Sequence, residues 1–270
     1  MRTKQLDILK AIAMLSMLID HIGLLFFPEQ DWFRQIGRLA FPLFAFFLAQ
    51  GFIYTSSRKK YFSRLLLFGV ISQVPFVWLN QGSELDLWQV NQIPMLLYAG
   101  LVLVVLEQAK QTDKVWLKPV FISLSLLLAF VPEVLMYYFP DLSLPYGAYG
   151  ILLSLMFYWF DQKWPGLVIS FIALSWFYPY RYFVQWATPE GNFFRAWFNG
   201  KDIFRYYQLA APTYLSFSGL WSQNNALFAL PAISLAQQYS GRWKMNKWLA
   251  YWFYPGHIAL LVTIYHLFMK

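Results

Sequence analysis

Long apolar runs, separated by short polar connections, occupy most of the chain. A helix that crosses a lipid bilayer needs about 20 mostly apolar residues. Nine runs approach this length, and together they predict an all-α, polytopic membrane helix bundle with nine or ten transmembrane helices. The predicted segments are residues 6–27, 39–55, 65–80, 91–107, 115–132, 147–160, 165–178, 220–239 and 248–269.

The stretch between the seventh and eighth predicted helices fits this pattern least well. Residues 179–208 carry Arg181, Arg195, Lys201 and Arg205 among aromatic side chains, and residues 209–217 form an apolar piece too short to span. We expect a re-entrant or interfacial segment here, near residues 180–217. Because no internal repeat, low-complexity segment or linker is visible, residues 1–270 are expected to form a single integral membrane domain.

The composition agrees with a membrane protein. Hydrophobic residues make up 59% of the chain and charged residues 13%, whereas soluble domains average about 45–50% apolar and about 25% charged residues. The net charge of +8 arises from short basic clusters between apolar runs, a pattern that favours cytoplasmic loops over nucleic-acid binding. The positive-inside rule therefore predicts a cytoplasmic N-terminus and several passes through the cytoplasmic membrane.

The first predicted helix contains four charged or titratable residues within its apolar run. They are Asp7, Lys10, Asp20 and His21, and ionisable groups inside a membrane are candidates for function. Asp7, Lys10 and His21 share one helical stripe, which we expect to face a protein interior or a wet cavity. His21 lies roughly 20 Å from the basic start of the helix and is suited to proton transfer. The alternative is a buried histidine that only completes a hydrogen-bond network.

Further basic groups have both a functional and a structural interpretation. Arg38, before the second helix, is suited to bind a substrate carboxylate or phosphate, or else it extends to the lipid interface. Arg34 is expected to take the interfacial role. The basic cluster at residues 58–64 is either a clamp for a phosphorylated cytosolic cofactor or a topology signal that touches anionic lipid.

Isolated polar residues near helix ends complete the set of candidates. Asn91 and Tyr146 open predicted helices, and His257 follows a Tyr–Pro–Gly sequence that is expected to break or kink the last helix. Arg38, Asn91, Tyr146 and His257 are therefore the predicted substrate-binding residues. With three histidines and no cysteine we expect no metal site, and no nucleotide-binding glycine loop is present in the sequence.

The chain resembles the TraX family of membrane proteins. The likeness starts with LDILKAIAMLSMLIDHIG and GRLAFPLFAFFLAQGFIYTSSRKKYFSRLLLFGVISQVPF. It continues through VNQIPMLLYAGL, YGAYGILLSLMFYW, ALFALPAISL and KWLAYWFYPGHIALL, so it covers nearly the whole chain except residues 179–208. The family is named for the enzyme that acetylates the N-terminus of F-pilin. It is similar to the acyltransferase-3 and heparan-acetyltransferase-like group of membrane proteins.

The resemblance implies an acetyl-CoA-dependent membrane acyltransferase. In the wider group a helix-one histidine, preceded by an LDxLRxxA-like sequence, is considered catalytic. It corresponds here to His21, with Lys10 in place of the common arginine and Asp20 as a companion. An RxxR sequence that engages the CoA phosphates corresponds to Tyr61 and Arg64, so its first arginine is missing. The residues implied for acyl-CoA binding are Lys10, Arg58, Lys59, Lys60 and Arg64.

The expected reaction transfers an acyl group from cytosolic acyl-CoA to a hydroxyl or amine, at or across a bacterial membrane. His21 would act as general base or as acyl carrier. The acceptor stays open between a pilin N-terminus, a glycan and a lipid. Two other classes of protein fit the same buried charges. They are a transporter or flippase, in which the charges form a proton or substrate path, and a non-catalytic assembly protein, in which they are dispensable.

Overall fold

The computed structural model describes residues 3–81, 86–161, 163–187, 197, 225–238 and 244–269. These residues form eleven α-helices and one 3₁₀ turn, and the described ranges contain no β-sheet. The predicted all-α fold is confirmed. The helices are α1 (Thr3–Phe26), α2 (Asp31–Gly37), α3 (Ala40–Tyr54), α4 (Arg58–Gln81), α5 (Gln92–Gln111), α6 (Leu117–Ala129), α7 (Val131–Tyr138), α8 (Gly147–Phe160), α9 (Trp164–Ala187), α10 (Ala229–Gln237, after the 3₁₀ turn Asn225–Phe228) and α11 (Lys247–Phe268).

Several of these helices are suited to a lipid bilayer. Five stretches are long and apolar enough to cross a membrane, and α8 is apolar but shorter. Large apolar side chains on the outside of the bundle, such as Leu67, Val70 and Leu127, are more than half exposed. Such a surface is stable where lipid is the solvent. The chain is therefore a multi-pass helical membrane protein. The five stretches are Leu6–Phe26, Asp31–Tyr54, Arg58–Asn80, Gln92–Gln111 and Leu117–Tyr138.

Three helix boundaries differ from the predicted ones. α4 begins at Arg58 rather than near residue 65, because the basic cluster forms the first turns of the helix. α6 and α7 continue past the predicted end at residue 132 as far as Tyr138. α9 passes through Pro179 and ends at Ala187, so Arg181 is helical and buried instead of lying in an outer connection.

Two other elements also depart from expectation. The short helix α2 stands where a plain connection was predicted. α11 was predicted to break or kink at Pro255 and Gly256; it does not break there and runs on as one helix to Phe268. Because Pro255 has no N–H, the carbonyl of Tyr251 loses its usual helical donor. The predicted basic residues Arg195, Lys201 and Arg205 and the apolar piece 209–217 lie outside the described residues.

The bundle has two ends of opposite character. One end gathers the N-termini of α1, α4, α6, α9 and α11 with the C-termini of α3, α5 and α8. We call it the basic end, and the opposite end the acidic end. The described cations toward the basic end include Lys10, Arg58, Lys59, Lys60, Arg64, Lys110, Lys114, Lys118, Lys163, Lys244 and Lys247, with Asp113 and Asp161 beside them; the acidic end carries Glu29, Asp31, Asp86 and Asp141, with Arg34 and Arg38.

Packing within the bundle brings α1 and α11 side by side in the same direction. Near the basic end, the buried carboxylate of Asp7 accepts a 3.2 Å hydrogen bond from the backbone N–H of Met245. Near the acidic end, the rings of Phe26 and Tyr265 meet edge to face. The inner helices α3 and α8 form most of the core behind them. This parallel pairing aligns the middle of α1 with the middle of α11.

Candidate functional site

Two histidines meet at the centre of the α1–α11 contact. Nδ1 of His21 lies 2.8 Å from Nε2 of His257, and the two ring planes are within 6° of parallel. An N–H of one ring therefore points along the lone pair of the other. On its far side, Nδ1 of His257 is hydrogen-bonded to the backbone carbonyl of Phe253, one helical turn earlier.

This chain of contacts determines which nitrogens carry protons. A carbonyl oxygen can only accept, so Nδ1 of His257 must carry a hydrogen and donate it to Phe253. The Nε2 atom of a neutral His257 is then an acceptor, and the hydrogen between the rings belongs to Nδ1 of His21. A neutral His21 consequently has its lone pair on Nε2, which makes no hydrogen bond with any described residue.

His21 faces a large central cavity of about 440 Å³. The cavity lies between α1, α3, α4, α5 and α11, and its walls are mostly apolar. Such a volume and lining are typical of a small-molecule site, in which a few polar groups fix the ligand's orientation. Apolar side chains that form the walls include Phe41, Phe44, Phe47, Leu65, Phe68 and Leu96.

Cations surround the cavity toward the basic end. Lys10, Arg64 and Lys247 line it there, each from a different helix. Nε of Arg64 donates a 3.2 Å hydrogen bond to the hydroxyl of Tyr251, and this contact directs the guanidinium toward α11. Lys10 is anchored by Asp7 at 2.9 Å, and its side chain keeps 30% exposure. The three positive groups form an entrance suited to an anionic ligand.

Asp20 and Tyr146 line the same cavity toward the acidic end. Asp20 does not contact the ring of His21 through any hydrogen bond; it accepts a 2.8 Å bond from Nη1 of Arg34 on α2. Arg34, which was expected to lie at the lipid interface, therefore has a structural partner. Gly37 makes this arrangement possible, since an added Cβ there would lie 2.1 Å from the Asp20 carboxylate.

A buried ion pair supports the turn that presents Tyr146. Nε of Arg181 donates to Glu133 Oε1, and the same oxygen accepts a 2.8 Å bond from the backbone N–H of Ala148. Glu133 and Arg181 are 1% and 2% exposed. Tyr146 and Gly147 adopt positive φ angles of 60° and 42°, and a Cβ at Gly147 would collide with the Glu133 carboxylate. Arg181 therefore lies inside the bundle and not in the connection between the seventh and eighth predicted helices.

Several predicted ligands lie away from the cavity. Arg58 forms a two-point ion pair with Glu107, with Nη2 at 2.6 Å from Oε1, and its guanidinium covers the ring of Phe52. Lys59 and Lys60 are exposed on the first turn of α4 and do not line the cavity. Of the four basic residues at positions 58–64, Arg64 lines it, together with the neighbouring Tyr61.

Asn91 and Arg38 also do not line the cavity. Asn91 is fully buried and caps α5, where its side chain accepts from the N–H of Ile93 and donates to Gly69 and Gln73. The side chain of Asn91 thus makes its hydrogen bonds inside the protein, and its predicted substrate contact stays a prediction that the cavity does not support. An asparagine just before an α-helix is a common N-cap, and that sequence signal was available.

One face of α11 lines the cavity, and it was not predicted from the sequence. Lys247, Tyr251 and Tyr254 lie on this face, whereas His257, predicted to bind substrate, does not line the cavity and contacts His21 instead. Gln92, at the first turn of α5, also lines the cavity. The i, i+4, i+7 pattern of polar and aromatic residues in a membrane helix was the signal that could have found them.

The chain is similar to one protein family and to several known proteins. A model of the family described as TraX protein matches residues 5–189, which include α1–α9. A probable fimbrial assembly protein FimC, serogroup H1, of Dichelobacter nodosus is 42% identical over 82 residues, 29% of this chain and 34% of that protein. Protein TraX of Escherichia coli is 37% identical over 73 residues, 27% of this chain and 29% of that protein.

An uncharacterised protein of Rickettsia prowazekii (strain Madrid E) is 41% identical over 73 residues, 27% of each chain. These alignments span about a third or less of the curated relatives' lengths. No solved structure matches the chain. The family match covers well over half of the sequence, and the chain therefore belongs to the TraX family.

Proposed function

We propose that this chain is a membrane-embedded acyltransferase that moves an acetyl group from acyl-CoA to a hydroxyl or amine acceptor. The observation that carries the proposal is the hydrogen-bonded pair of His21 and His257 beside the central cavity. The pair leaves an unprotonated nitrogen on His21, which is the group that a general base requires. His257 and the Phe253 carbonyl take the positioning role that a carboxylate has in other histidine-based sites.

The donor enters from the basic end. Its phosphates pair with Arg64, Lys247 and Lys10, and its pantetheine arm extends along the apolar walls toward His21. Lys10 and His21 are separated by eleven residues of α1, which correspond to about 16 Å of helix. An arm of comparable length would bring the thioester to the histidine. This arrangement replaces the predicted clamp of Arg58, Lys59 and Lys60.

Transfer then takes place by attack of the acceptor on the thioester carbonyl, followed by loss of the CoA thiolate. Nε2 of His21 removes the proton of the acceptor hydroxyl or amine while the acceptor oxygen or nitrogen attacks the thioester carbonyl carbon. The carbon–sulfur bond breaks, and the CoA thiolate takes the proton back from Nε2 as it leaves. During the step His21 is positively charged, and the hydrogen bond from its Nδ1 to His257 stabilises that charge.

The charge asymmetry of the bundle supports an orientation with the basic end in the cytoplasm, where acyl-CoA is found. The acceptor then approaches from the acidic end, past Tyr146 and Asp20. One relative is named as a fimbrial assembly protein and another as TraX. These names favour a pilus-subunit amino terminus as the first acceptor to test, ahead of a glycan or a lipid.

The test is release of CoA from acetyl-CoA by the purified protein in lipid nanodiscs. Candidate acceptors are a short peptide with a free amino terminus, a hexose and phosphatidylethanolamine. Because the chain has no cysteine, a thiol reagent detects the CoA product without a protein background. We expect the His21→Gln variant to lose about a thousandfold in rate and to remain folded.

His266→Gln is the matched control, because His266 also bonds a carbonyl one turn earlier on α11 but does not line the cavity. It should keep the wild-type rate. Equal rates for His21→Gln and wild type would contradict the proposal. A wild-type protein that binds no acetyl-CoA and releases no CoA would instead favour the transporter or the assembly protein.

A further inference from the structure

One face of the cavity contains polar groups that the proposed reaction has not used. Tyr254 is only 8% exposed, and its hydroxyl makes no hydrogen bond with any described residue. The hydroxyl oxygen lies close to the backbone N–H of Gln92, at the start of α5. The side-chain oxygen of Gln92 is buried as well, and it too has no hydrogen-bond partner among the described residues.

Unpaired buried polar atoms are rare in folded proteins because they lose their hydrogen bonds to water without replacement. Here the two residues come from different helices, α11 and α5, and both line the central cavity with His21. The ring of Tyr254 lies 6.1 Å from that of His257, so the hydroxyl stands one helical turn from the histidine pair. Both atoms are enclosed by their neighbours, so a ligand in the cavity supplies the missing partners once the two side chains turn toward it.

We infer that Tyr254 and Gln92 form the subsite that binds the acyl end of the donor. The Tyr254 O–H donates a hydrogen bond to the thioester carbonyl oxygen, and the Gln92 oxygen accepts an N–H from the pantetheine arm. The inference rests on the proposed function, since it assigns the carbonyl to the site where His21 activates the acceptor. Tyr254 is then a second catalytic residue.

The role of the hydroxyl follows from the movement of charge. As the acceptor attacks the carbonyl carbon, the carbon–oxygen π pair moves onto oxygen, and the Tyr254 hydrogen bond becomes stronger. When the carbon–sulfur bond breaks, that pair re-forms the carbonyl and the thiolate leaves with the proton from His21. Tyr254 keeps its own proton throughout, so it stabilises the transition state more than the bound donor.

The kinetic test uses Tyr254→Phe, with Tyr265→Phe as the control on the same helix. Tyr265 packs against Phe26 and does not line the cavity. We expect Tyr254→Phe to lower kcat by about a hundredfold and to leave KM for acetyl-CoA within about twofold, with Tyr265→Phe at the wild-type rate. The melting temperature should stay the same or rise, because the substitution breaks no hydrogen bond. A Tyr254→Phe variant with wild-type kcat would overturn the inference.

A binding test examines the subsite without any acyl transfer. It compares two unreactive donors, the acetyl amide of amino-CoA, in which NH replaces sulfur, and S-ethyl-CoA, which has no carbonyl. Wild type should bind the amide about fivefold more tightly than S-ethyl-CoA, and Tyr254→Phe should lose that preference. An equal preference in both proteins would refute the carbonyl contact. If wild type shows the preference but no acceptor is acetylated, the proposed transfer fails while the subsite stands.

Discussion

Two buried polar pairs, one at the centre of the bundle and one near its acidic end, have opposite surroundings. The His21–His257 pair borders the central cavity, and Nε2 of His21 makes no hydrogen bond with any described residue. The Glu133–Arg181 pair is packed against the turn at Gly147, where even a Cβ atom would not fit. Placing polar groups inside a membrane costs free energy for both pairs. The two pairs differ in whether a ligand can reach them, so a buried charge alone does not identify a site of chemistry.

Loss of Glu133 should have the largest effect on stability. Glu133→Ala leaves Arg181 as a buried cation without its carboxylate, at an expected cost of about 3–5 kcal/mol in the free energy of unfolding. Thermal unfolding in detergent would measure it, with Glu107→Ala as a control in which the surviving arginine, Arg58, is 40% exposed. If Glu133→Ala is fully stable but releases no CoA, the Glu133–Arg181 pair takes part in the reaction. The two pairs would then not differ in function as stated above.

Loss of His257 should lower the rate of CoA release. His257→Phe removes the acceptor for Nδ1 of His21, and we expect kcat for CoA release to fall about a hundredfold with little change in KM. His257→Gln restores a side-chain acceptor and should recover part of the rate. If neither variant alters kcat, His257 only packs beside His21.

Loss of positive charge from the basic side of the cavity should weaken the binding of acetyl-CoA. Arg64→Gln with Lys247→Gln removes two cations that line the cavity, and the Kd for acetyl-CoA should rise about tenfold. The matched control is Lys59→Gln with Lys60→Gln, which removes the same charge from exposed positions at the same end. Isothermal titration would measure both. Similar weakening in the two double variants would mean that only the overall charge of the basic end matters.

The smallest effect is expected for Arg58. Arg58→Gln breaks a pair with Glu107 in which the arginine is 40% exposed, so the stability should fall by about 1 kcal/mol or less. Acetyl-CoA affinity should not change, because Arg58 does not line the cavity. A tenfold loss of affinity in this variant would restore Arg58 to the donor site.

The sequence predicts the parts that depend on local pattern. Apolar length located most helices, and the charged stripe of α1 identified His21 and Lys10 as residues that face a cavity. The parts that depend on distant partners were missed. Arg58 was assigned to the donor because Glu107, 49 residues away, could not be recognised as its partner. Pairing of His21 with His257 spans 236 positions and exists only once α1 and α11 pack in parallel.

The seam between α1 and α2, the line along which the two helices touch, has a consequence for how water reaches His21. A Cβ at Gly23 would lie 2.1 Å from the Cβ of Phe33, and the space at Gly37 is filled by Asp20. Such contacts leave no room for a file of water molecules along that seam. A proton that reaches His21 from the basic end has no aqueous route onward between these two helices. These two contacts therefore separate His21 from water on the α2 side of the bundle.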